Sequence, residues 1–342
     1  MNILLVDDDK QEFETWNLRL HTDCEKLQKE HNIELFNARD SKEAEDKIKS
    51  GEIEFLIVDL KLANNSNGKD FLQTIQKYGW RIPTVIYTGT PDEGQDEKYV
   101  LKIYKKGDTG IPEILDDIIS IYDTGITEVL SRDGLVQNII NKFYQEIFIN
   151  NMDLWIRRQQ ENSNKTMVQR SLLKILLNNL NAHIDYDEDK AYSEQFYIYP
   201  FSNNSISTGS ILKVKNSEKY FLLISPACDM VLRPQKDGSK KRKLENLHLL
   251  SVIQNPQCNN NKKAEKDMKT NKNGKYHYLP KINNFEGGYV DFADINLCKY
   301  EDIENDYSVV YKITDQFMKN IISRFAAYFA RQGQPDLFPE GK

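Results

Sequence analysis

The sequence predicts an α/β fold for the first third of the 342-residue chain, followed by a helical stretch and a β-rich α+β region. Two observations predict the α/β part, a doubly wound parallel sheet of five strands. Short apolar runs such as Phe55–Val58 are typical of strands that are covered on both faces. These runs alternate with stretches of helical period, which is the order of a parallel sheet with crossover helices.

The strands and helices of this part follow one another with clear boundaries. The predicted strands are Asn2–Asp9, Ile33–Phe36, Phe55–Val58, Pro83–Thr88 and Tyr99–Lys106. The predicted helices are Gln11–Lys29, Ser41–Ser50, Asp70–Lys77 and Ile111–Tyr122. Asp40 marks a helix start and Gly51 a helix end. We expect this domain to span residues 1–124.

Carboxylates follow two of the predicted strands. Asp7 and Asp8 end the first strand, and Asp59 comes directly after the third. Burying an ionised carboxylate without a partner is costly, so we expect these groups at the C-terminal edge of the sheet, where ligand sites lie. Clustered carboxylates raise one another's pKa unless a cation offsets them. Mg²⁺ is the expected cation because it prefers carboxylates, carbonyls and water.

A hydroxyl and two lysines complete the set of polar groups after the strands. Thr88 ends the fourth strand, and Lys105 and Lys106 end the fifth. Together with the acid pair and Asp59, this order resembles the receiver domain of bacterial two-component response regulators, which has a flavodoxin-like fold. The resemblance covers about the first third of the chain and includes the order of the elements.

The resemblance implies a role for each of these residues. Asp59 would accept a phosphoryl group from a sensor histidine kinase. Mg²⁺ would be held by Asp7, Asp8, Asp59 and the backbone carbonyl of Lys61. Thr88 and Lys105 would contact the phosphoryl oxygens, with Lys106 as the alternative lysine.

The frame around these residues departs from the family pattern. Ala63 stands where the family has Pro, and the span from Thr88 to Lys105 leaves little room for a fourth helix. The aromatic switch residue of the fifth strand has no clear counterpart, the nearby rings being Tyr99 and Tyr104. A receiver-like domain that no longer accepts phosphate and serves as a docking module is therefore the alternative interpretation.

Composition predicts a folded, cytoplasmic protein outside the membrane. Hydrophobic residues make up 39% and charged residues 29% of the chain, and no apolar run approaches the ~20 residues of a membrane span. The four cysteines are far apart, as expected of reduced thiols. Charge is uneven, since residues 1–122 contain 25 acidic and 16 basic residues and residues 233–275 contain 4 acidic and 12 basic residues.

Residues 125–190 are predicted to form a helical linker. Leu135, Ile139, Phe143 and Ile147 recur every four residues, and leucines between 172 and 180 form a second apolar face. The polar stretch at 157–165 suggests a hinge between two helices. These faces would either pair in a homodimer or pack on the chain's own domains.

Residues 191–342 are predicted to be a β-rich output domain that ends in a helix at Thr314–Arg331. Short β segments with tight turns suggest a strongly bent sheet or an SH3-like barrel. The motifs CDM, YLP and VDF and the closing RFAAYFARQGQPD resemble an uncharacterised output domain that accompanies divergent receivers in bacterial conflict loci. The resemblance implies a role in anti-phage defence but no defined activity.

Two features of this region could carry chemistry. Cys228 and Asp229 follow a predicted strand and could act as a nucleophile and its orienting acid, with His248 or His277 as the base. The alternative is a small buried cysteine in a turn. The basic stretches Asp237–Lys243 and Asn259–Lys275 could bind nucleic acid or be solvated loops. We therefore expect a phosphorylation-responsive signalling protein, with a receiver-gated nuclease-like effector or a phosphate-independent adaptor as alternatives.

Overall fold

The computed structural model describes residues 1–62, 67–94, 99–162, 165–183, 191–198, 206–254, 256 and 262–331. The chain divides into two compact units, Met1–Tyr186 and Asp187–Lys342, here called the N-terminal and C-terminal units. The helical stretch belongs to the N-terminal unit together with the parallel sheet. The predicted boundary at residue 190 lies outside the described residues, and the division at 124 stays a prediction.

Five parallel strands form the sheet of the N-terminal unit. They are β1 (Asn2–Val6), β2 (Glu34–Ala38), β3 (Phe55–Val58), β4 (Thr84–Thr88) and β5 (Lys102–Lys105). Their order across the sheet is β2-β1-β3-β4-β5, and every pairing is parallel. This is the doubly wound, flavodoxin-like order, so the predicted fold is confirmed.

Helices cover both faces of this sheet. They are α1 (Lys10–Thr22), α2 (Glu25–Glu30), α3 (Ser41–Lys49), α4 (Gly68–Tyr78) and α5 (Ile111–Tyr122). Asp9, Asp40 and Asn67 cap the N-termini of α1, α3 and α4 by accepting hydrogen bonds from backbone N–H groups. The predicted single helix over residues 11–29 is wrong, because the chain turns at Asp23 and Cys24, residue types that favour helices weakly.

Successive side chains of each strand lie on opposite faces of the sheet, so they belong to two separate cores. Leu5 and Ile57 pack on one face of the sheet with residues of α1 and α5 such as Trp16 and Ile118. The opposite core contains residues of β1, β3, β4, α3 and α4, namely Leu4, Val6, Leu56, Val58, Ile86, Ala44, Ile48, Phe71, Leu72 and Ile75. Burial on both faces explains why the strands are continuous apolar runs.

The connection between β4 and β5 departs from the regular alternation. Its described part contains only a 3₁₀ helix, Pro91–Gly94, and no α-helix. A Cβ atom at Gly94 would lie 3.0 Å from Ile86 Cδ1 and 3.3 Å from Ile103 Cδ1, so this short turn packs directly on the sheet. The sequence correctly predicted that little room remains here for a helix.

Helices continue after the sheet, as predicted. They are α6 (Ile126–Leu130), α7 (Leu135–Lys142), a π-helical turn at Phe143–Phe148, a 3₁₀ turn at Ile149–Asn151, α8 (Met152–Asn162) and α9 (Lys165–Ala182). The polar stretch expected to form a hinge, residues 157–165, is helical up to Asn162 in α8 and again from Lys165 in α9, and its residues 163–164 lie outside the described residues. None of the described helices is long and apolar enough to cross a lipid bilayer.

The C-terminal unit is built on one antiparallel sheet of seven strands and a separate two-stranded hairpin. The strands are β6 (Tyr197–Ile198), β7 (Ser210–Val214), β8 (Tyr220–Leu223), β9 (Arg233–Pro234), β10 (Lys240–Lys241), β11 (Asn246–Ile253), β12 (Tyr276–Leu279), β13 (Gly288–Lys299) and β14 (Tyr307–Ile313). The order in the large sheet is β12-β13-β11-β8-β7-β14-β6, and β9 pairs with β10 in the hairpin. The β-rich prediction is confirmed.

The described part of this unit has five helices beside these strands. They are α10 (Ser193–Phe196), α11 (Ala227–Met230), α12 (Lys262–Lys269), α13 (Tyr300–Asp306) and α14 (Asp315–Ala330). Met318 and Ile321 of α14 pack on one face of the sheet, and Ile303 of α13 packs on the other. Because β6 and β12 are the outer strands of the described sheet, the sheet is open and does not form the small barrel suggested by the sequence.

Candidate functional site

Asp7 and Asp59 lie side by side at the C-terminal edge of the parallel sheet. Val6 and Val58 are paired in register at the ends of β1 and β3, and the amide N–H of Asp59 donates to the carbonyl of Val6 at 2.9 Å. The two side chains are almost buried, with exposed fractions of 1% for Asp7 and 7% for Asp59. The topology reverses at β1 and β3, so both carboxylates stand at the switch point where such sheets bind ligands.

A single lysine bridges the two carboxylates. Lys106 Nζ lies 2.6 Å from Asp7 Oδ2 and 2.7 Å from Asp59 Oδ2, within hydrogen-bonding distance of both. The Lys106 side chain is 23% exposed, and its ammonium group lies 5.7 Å from the centroid of the Tyr87 ring. The predicted juxtaposition of a carboxylate pair with a lysine is therefore present.

The structure places Lys106, the alternative lysine, against the carboxylates, and it places Lys105, the preferred one, away from them. Lys105 is the last residue of β5, and its ammonium group pairs with Asp108 at 3.0 Å on the surface. Side chains alternate along a strand, and Tyr104 is buried against α5, where its hydroxyl donates to Asp117. Lys105 consequently points to the other side of the sheet, and the next residue, Lys106, reaches Asp59.

Thr88 is buried at the end of β4, beside these groups but not bonded to them. The pairing of Val58 with Ile86 places Thr88 one position beyond the level of Asp59. Its hydroxyl accepts a hydrogen bond from the amide N–H of Thr90 at 3.4 Å. Within the described residues Thr88 makes no hydrogen bond to the Asp59 carboxylate itself.

Asp8 and Lys61 border the site on the solvent side. Asp8 is exposed directly after Asp7. The amide N–H of Lys61 donates to Asp59 Oδ1 at 3.2 Å, which fixes the orientation of that carboxylate. The Lys61 side chain extends to Glu93, at 3.9 Å, and is not part of the cluster.

Burial disfavours the ionised form of the Asp7 carboxyl. Burial raises the pKa of the Asp7 carboxyl more than the hydrogen bonds from Lys106 and from the Asp9 amide lower it. Burial lowers the pKa of the Lys106 ammonium, whereas the hydrogen bonds to Asp59 and Asp7 raise it. Together these hydrogen bonds outweigh the effect of burial, so the pKa of Lys106 is raised. Lys106 thus remains charged, and a further cation would be favourable at this edge.

Two residues near the cluster were not expected from the sequence. Burial raises the pKa of Glu12, and the negative charges of Asp7 and Asp9 raise it further against the effect of Lys106. The Tyr87 ring packs edge-on against Trp16, with 5.5 Å between the ring centroids. Glu12 could have been found from its place in the first turn of α1, since that turn begins directly after the acidic residues.

The loop after Asp59 is held tightly against it. The Gly68 amide donates to the Leu60 carbonyl at 2.9 Å, and Lys61 bridges to Asn67 as an isolated β-pair. Ala63, which stands where the family has Pro, lies outside the described residues together with residues 64–66.

The residues suit Mg²⁺ by donor chemistry rather than as a preformed cage. Among the described residues, no three His, Cys, Asp or Glu side chains are grouped closely enough to hold a metal ion. Mg²⁺ commonly uses only one or two carboxylates and completes its shell with water. Asp7 and Asp59 can supply those two carboxylates, provided that Lys106 gives up at least one of its contacts.

The residues proposed for chemistry in the C-terminal unit are not assembled. Cys228 is exposed, with its Sγ 3.6 Å from Asp229 Oδ1, and Asp229 pairs with Lys243 at 3.1 Å. The candidate bases lie elsewhere, because His248 Nδ1 is 3.4 Å from Ser225 Oγ and His277 is buried in the core. No histidine of the described chain bonds to Cys228.

Comparison with solved structures finds similarity in the N-terminal part of the chain. The non-phosphorylated HemR receiver domain from Leptospira biflexa is 23% identical, with a TM-score of 0.29 over 35% of this chain and 92% of that chain. The response regulator TrrA from Thermotoga maritima, in complex with Mg²⁺ and BeF, is 21% identical, with a TM-score of 0.29 over 35% of this chain and 97% of that chain. A CheY-like receiver domain protein from Methanospirillum hungatei is 19% identical, with a TM-score of 0.31 over 37% of this chain and 98% of that chain.

Sequence comparisons find no counterpart. No protein-family model matches the chain, and no curated protein matches it.

Proposed function

We propose that the N-terminal unit is a phosphorylation-responsive signalling domain in which Asp59 accepts a phosphoryl group in the presence of Mg²⁺. The observation that carries this proposal is the bridge from Lys106 to the two nearly buried carboxylates of Asp7 and Asp59. A buried acid pair with one lysine at a switch point is an unusual arrangement to keep for stability alone, since replacing buried ion pairs by apolar residues is often neutral or stabilising.

The chemistry follows from the positions of these groups. An oxygen of the ionised Asp59 would attack the phosphorus of a phosphodonor, and the bond from phosphorus to the donor would break as the new P–O bond forms. The donor would leave with the bonding electron pair, and water would later hydrolyse the aspartyl phosphate to free phosphate and Asp59. Lys106 would exchange its carboxylate partner for a phosphoryl oxygen, and the Thr88 hydroxyl would donate to another.

The residues that would hold the metal are Asp7, Asp59 and, on the open side, Asp8 and the carbonyl of Lys61. When bound, Mg²⁺ would offset the negative charge that the carboxylates and the incoming phosphoryl group bring together. Burial raises the pKa of the Asp7 carboxyl, and a bound cation would favour its ionised form.

Intact-mass measurement tests the proposal. The full chain is incubated with acetyl phosphate and Mg²⁺, beside a sample with chelator and beside the Asp59→Asn variant. The expected result is one phosphoryl adduct that requires metal and disappears in the variant. Asp108→Asn, which removes an exposed carboxylate near the end of β5, is the matched control and should keep the adduct.

Failure of the reaction would support the alternative interpretation of this unit. Without an adduct, and without binding of beryllofluoride to the unmodified chain, the N-terminal unit would be the phosphate-independent docking module that the sequence admits as an alternative. That adaptor should bind its partners equally well with Asp59→Asn.

We also propose that a histidine kinase supplies the phosphoryl group and that the C-terminal unit is the output. Hydrogen exchange of the C-terminal unit with and without beryllofluoride tests the coupling, and unchanged exchange would argue against it. A receiver-gated nuclease is not favoured, because the described residues around Cys228 contain no base in contact with it. The anti-phage setting stays an implication of the resemblance.

A further inference from the structure

A cationic cavity opens on the C-terminal unit beside the hairpin of β9 and β10. Its volume is about 340 Å³, and four basic side chains line it, Lys240, Lys241, Arg242 and Lys299. The segment 233–243 that supplies three of them contains six basic residues and one acidic residue, in a chain whose net charge is −6. This concentration of positive charge is the reverse of the chain's overall balance.

Arg242 is held in a fixed orientation at this cavity. Its guanidinium carbon lies 3.6 Å from the centroid of the Tyr300 ring, and its Nε donates to the carbonyl of Met230 at 3.1 Å. Within the described chain no protein acceptor bonds to its two Nη groups. A guanidinium stacked on a ring, with its outer nitrogens free, is preorganised to bind two oxygens of a phosphate.

The lysines add charge from opposite sides. Lys240 comes from the hairpin, and Lys299 ends β13, where it is in register with Asn246 of β11. Neither lysine is within ion-pairing distance of a carboxylate anywhere in the described ranges. Lys241, in contrast, pairs with Glu245 at 3.2 Å, so this lysine is already neutralised.

The remaining wall of the cavity has a different character. Leu232 and Leu244 provide apolar surface, and Leu232 is 46% exposed. Asn246 adds an amide that can both donate and accept hydrogen bonds. The carboxylates of Glu245 and Glu301 also line the cavity and would disfavour a ligand that fills it with negative charge throughout. A ligand with an anionic end and a largely neutral remainder satisfies all of these groups.

We propose that this cavity binds a nucleotide, with its phosphate on Arg242, Lys240 and Lys299 and its base against Leu232 and Leu244. The volume falls at the lower end of the range of ligand pockets, about 300–1,000 Å³, which suits one nucleotide rather than a larger cofactor. Asn246 is placed to read the edge of the base. The nucleotide could be free or one unit of a single strand, and the experiment separates these sources.

Calorimetric titration of the full chain tests the proposal. The probes are ribonucleoside diphosphates, with the unphosphorylated nucleosides and inorganic phosphate in parallel, and a short single-stranded oligonucleotide in a separate arm. We expect at least one diphosphate to bind more tightly than its nucleoside and than inorganic phosphate. Arg242→Met should weaken that binding by about tenfold, the loss of one charge-assisted pair of hydrogen bonds, and Lys299→Met should weaken it by a smaller factor.

Matched variants keep the result interpretable. Lys236→Met removes an exposed lysine of the same hairpin that does not line the cavity, and it should leave the affinity unchanged. Because Arg242→Met could disturb the packing on Tyr300, the exposed Lys299 provides the second variant. Asp59→Asn should also bind normally, which separates this site from the proposed phosphorylation.

Three results would overturn the proposal. One is the absence of binding by every diphosphate and by the oligonucleotide. Another is equal binding of a diphosphate and its nucleoside, which would remove the role of the phosphate. The third is an equal loss of affinity in Lys236→Met and Arg242→Met for whichever probe binds, because it would show a diffuse basic surface instead of a nucleotide cavity.

Discussion

A Cβ atom at Gly68 would lie 2.2 Å from the carbonyl oxygen of Asp59. The first residue of α4 is thus in direct contact with the backbone of the proposed phosphoryl acceptor, and the amide of Gly68 bonds to the next carbonyl, that of Leu60. Any side chain at this position would have to push the end of β3 away from the start of α4. Because Gly68 has no side chain, the start of α4 can lie directly against Asp59 at the edge of the sheet.

Gly68→Ala should destabilise the N-terminal unit. We expect the free energy of unfolding to fall by about 1–3 kcal/mol, the usual effect of inserting a methyl group into a packed region. The three tryptophans of the chain all lie between residues 16 and 155, so urea unfolding followed by tryptophan fluorescence reports on this unit. Gly89→Ala is the control, since a Cβ there meets no atom within 4 Å. Equal stability of the two variants would contradict the close approach.

Lys106→Met and Lys105→Met should differ strongly although the residues are adjacent. Removing the Lys106 ammonium leaves Asp7 and Asp59 buried without their shared partner, which should lower the free energy of unfolding at neutral pH by about 3 kcal/mol. Lys105 forms only a surface pair with Asp108, so its loss should change stability by less than about 0.5 kcal/mol.

Added Mg²⁺ gives these variants a second readout. Because the metal would take the place of the ammonium between the carboxylates, Mg²⁺ should raise the melting temperature of Lys106→Met more than that of Lys105→Met. A loss of stability in Lys105→Met as large as that in Lys106→Met would show that the bridge is not the stabilising interaction.

The sequence predicted the sheet and its carboxylates because both depend on short-range patterns. An apolar run ending in Asp marks a strand and its edge, and this rule found Asp7 and Asp59 without tertiary information. The choice between Lys105 and Lys106 depended on where β5 ends and on which face Tyr104 occupies. Both depend on tertiary contacts, since the Tyr104 hydroxyl donates a hydrogen bond to Asp117 of α5.

The C-terminal unit was less predictable for a related reason. Its strands were visible as short apolar segments, but their pairing connects distant parts of the chain, as when β7 lies between β8 and β14. The stacking of Arg242 on Tyr300 joins residues 58 positions apart, so a basic stretch in the sequence could not be distinguished from a solvated loop. Cys228 was considered for catalysis because its neighbours in sequence suited that role, whereas its neighbours in space do not.

His277 should make the C-terminal unit sensitive to acid. This side chain is 3% exposed in the core, its Nδ1 has no hydrogen-bond partner in the described structure, and burial, followed by the charge of Arg324, lowers its pKa to about 3. An unfolded histidine has a pKa of about 6.5, so between these values the unfolded chain binds the proton that the folded chain excludes. Stability should therefore fall as the pH is lowered, by about 2 kcal/mol from pH 7 to pH 5.

Circular dichroism measures this effect, since the C-terminal unit contains no tryptophan and its unfolding is absent from the fluorescence signal. His277→Leu should flatten the pH dependence between pH 7 and pH 5. His21→Gln, a change at an exposed histidine of α1, should leave it as it is. An unchanged slope in His277→Leu would assign the acid sensitivity to other groups.

The exposed apolar side chains of α9 should be covered by a second copy of the chain. No residue of this 18-residue helix is buried, and Met167, Leu173 and Leu177 are 56%, 55% and 49% exposed. Leu173 and Leu177 are one turn apart and so share a face, the arrangement that helices use to pack on one another.

Light scattering should give a mass of two chains, and the double change Leu173→Glu with Leu177→Glu should reduce it to one. Asn178→Glu, at an exposed polar position of the same helix, should leave the mass unchanged. A mass of one chain for the unaltered protein at all concentrations would show that this face is covered within the chain or remains in solvent.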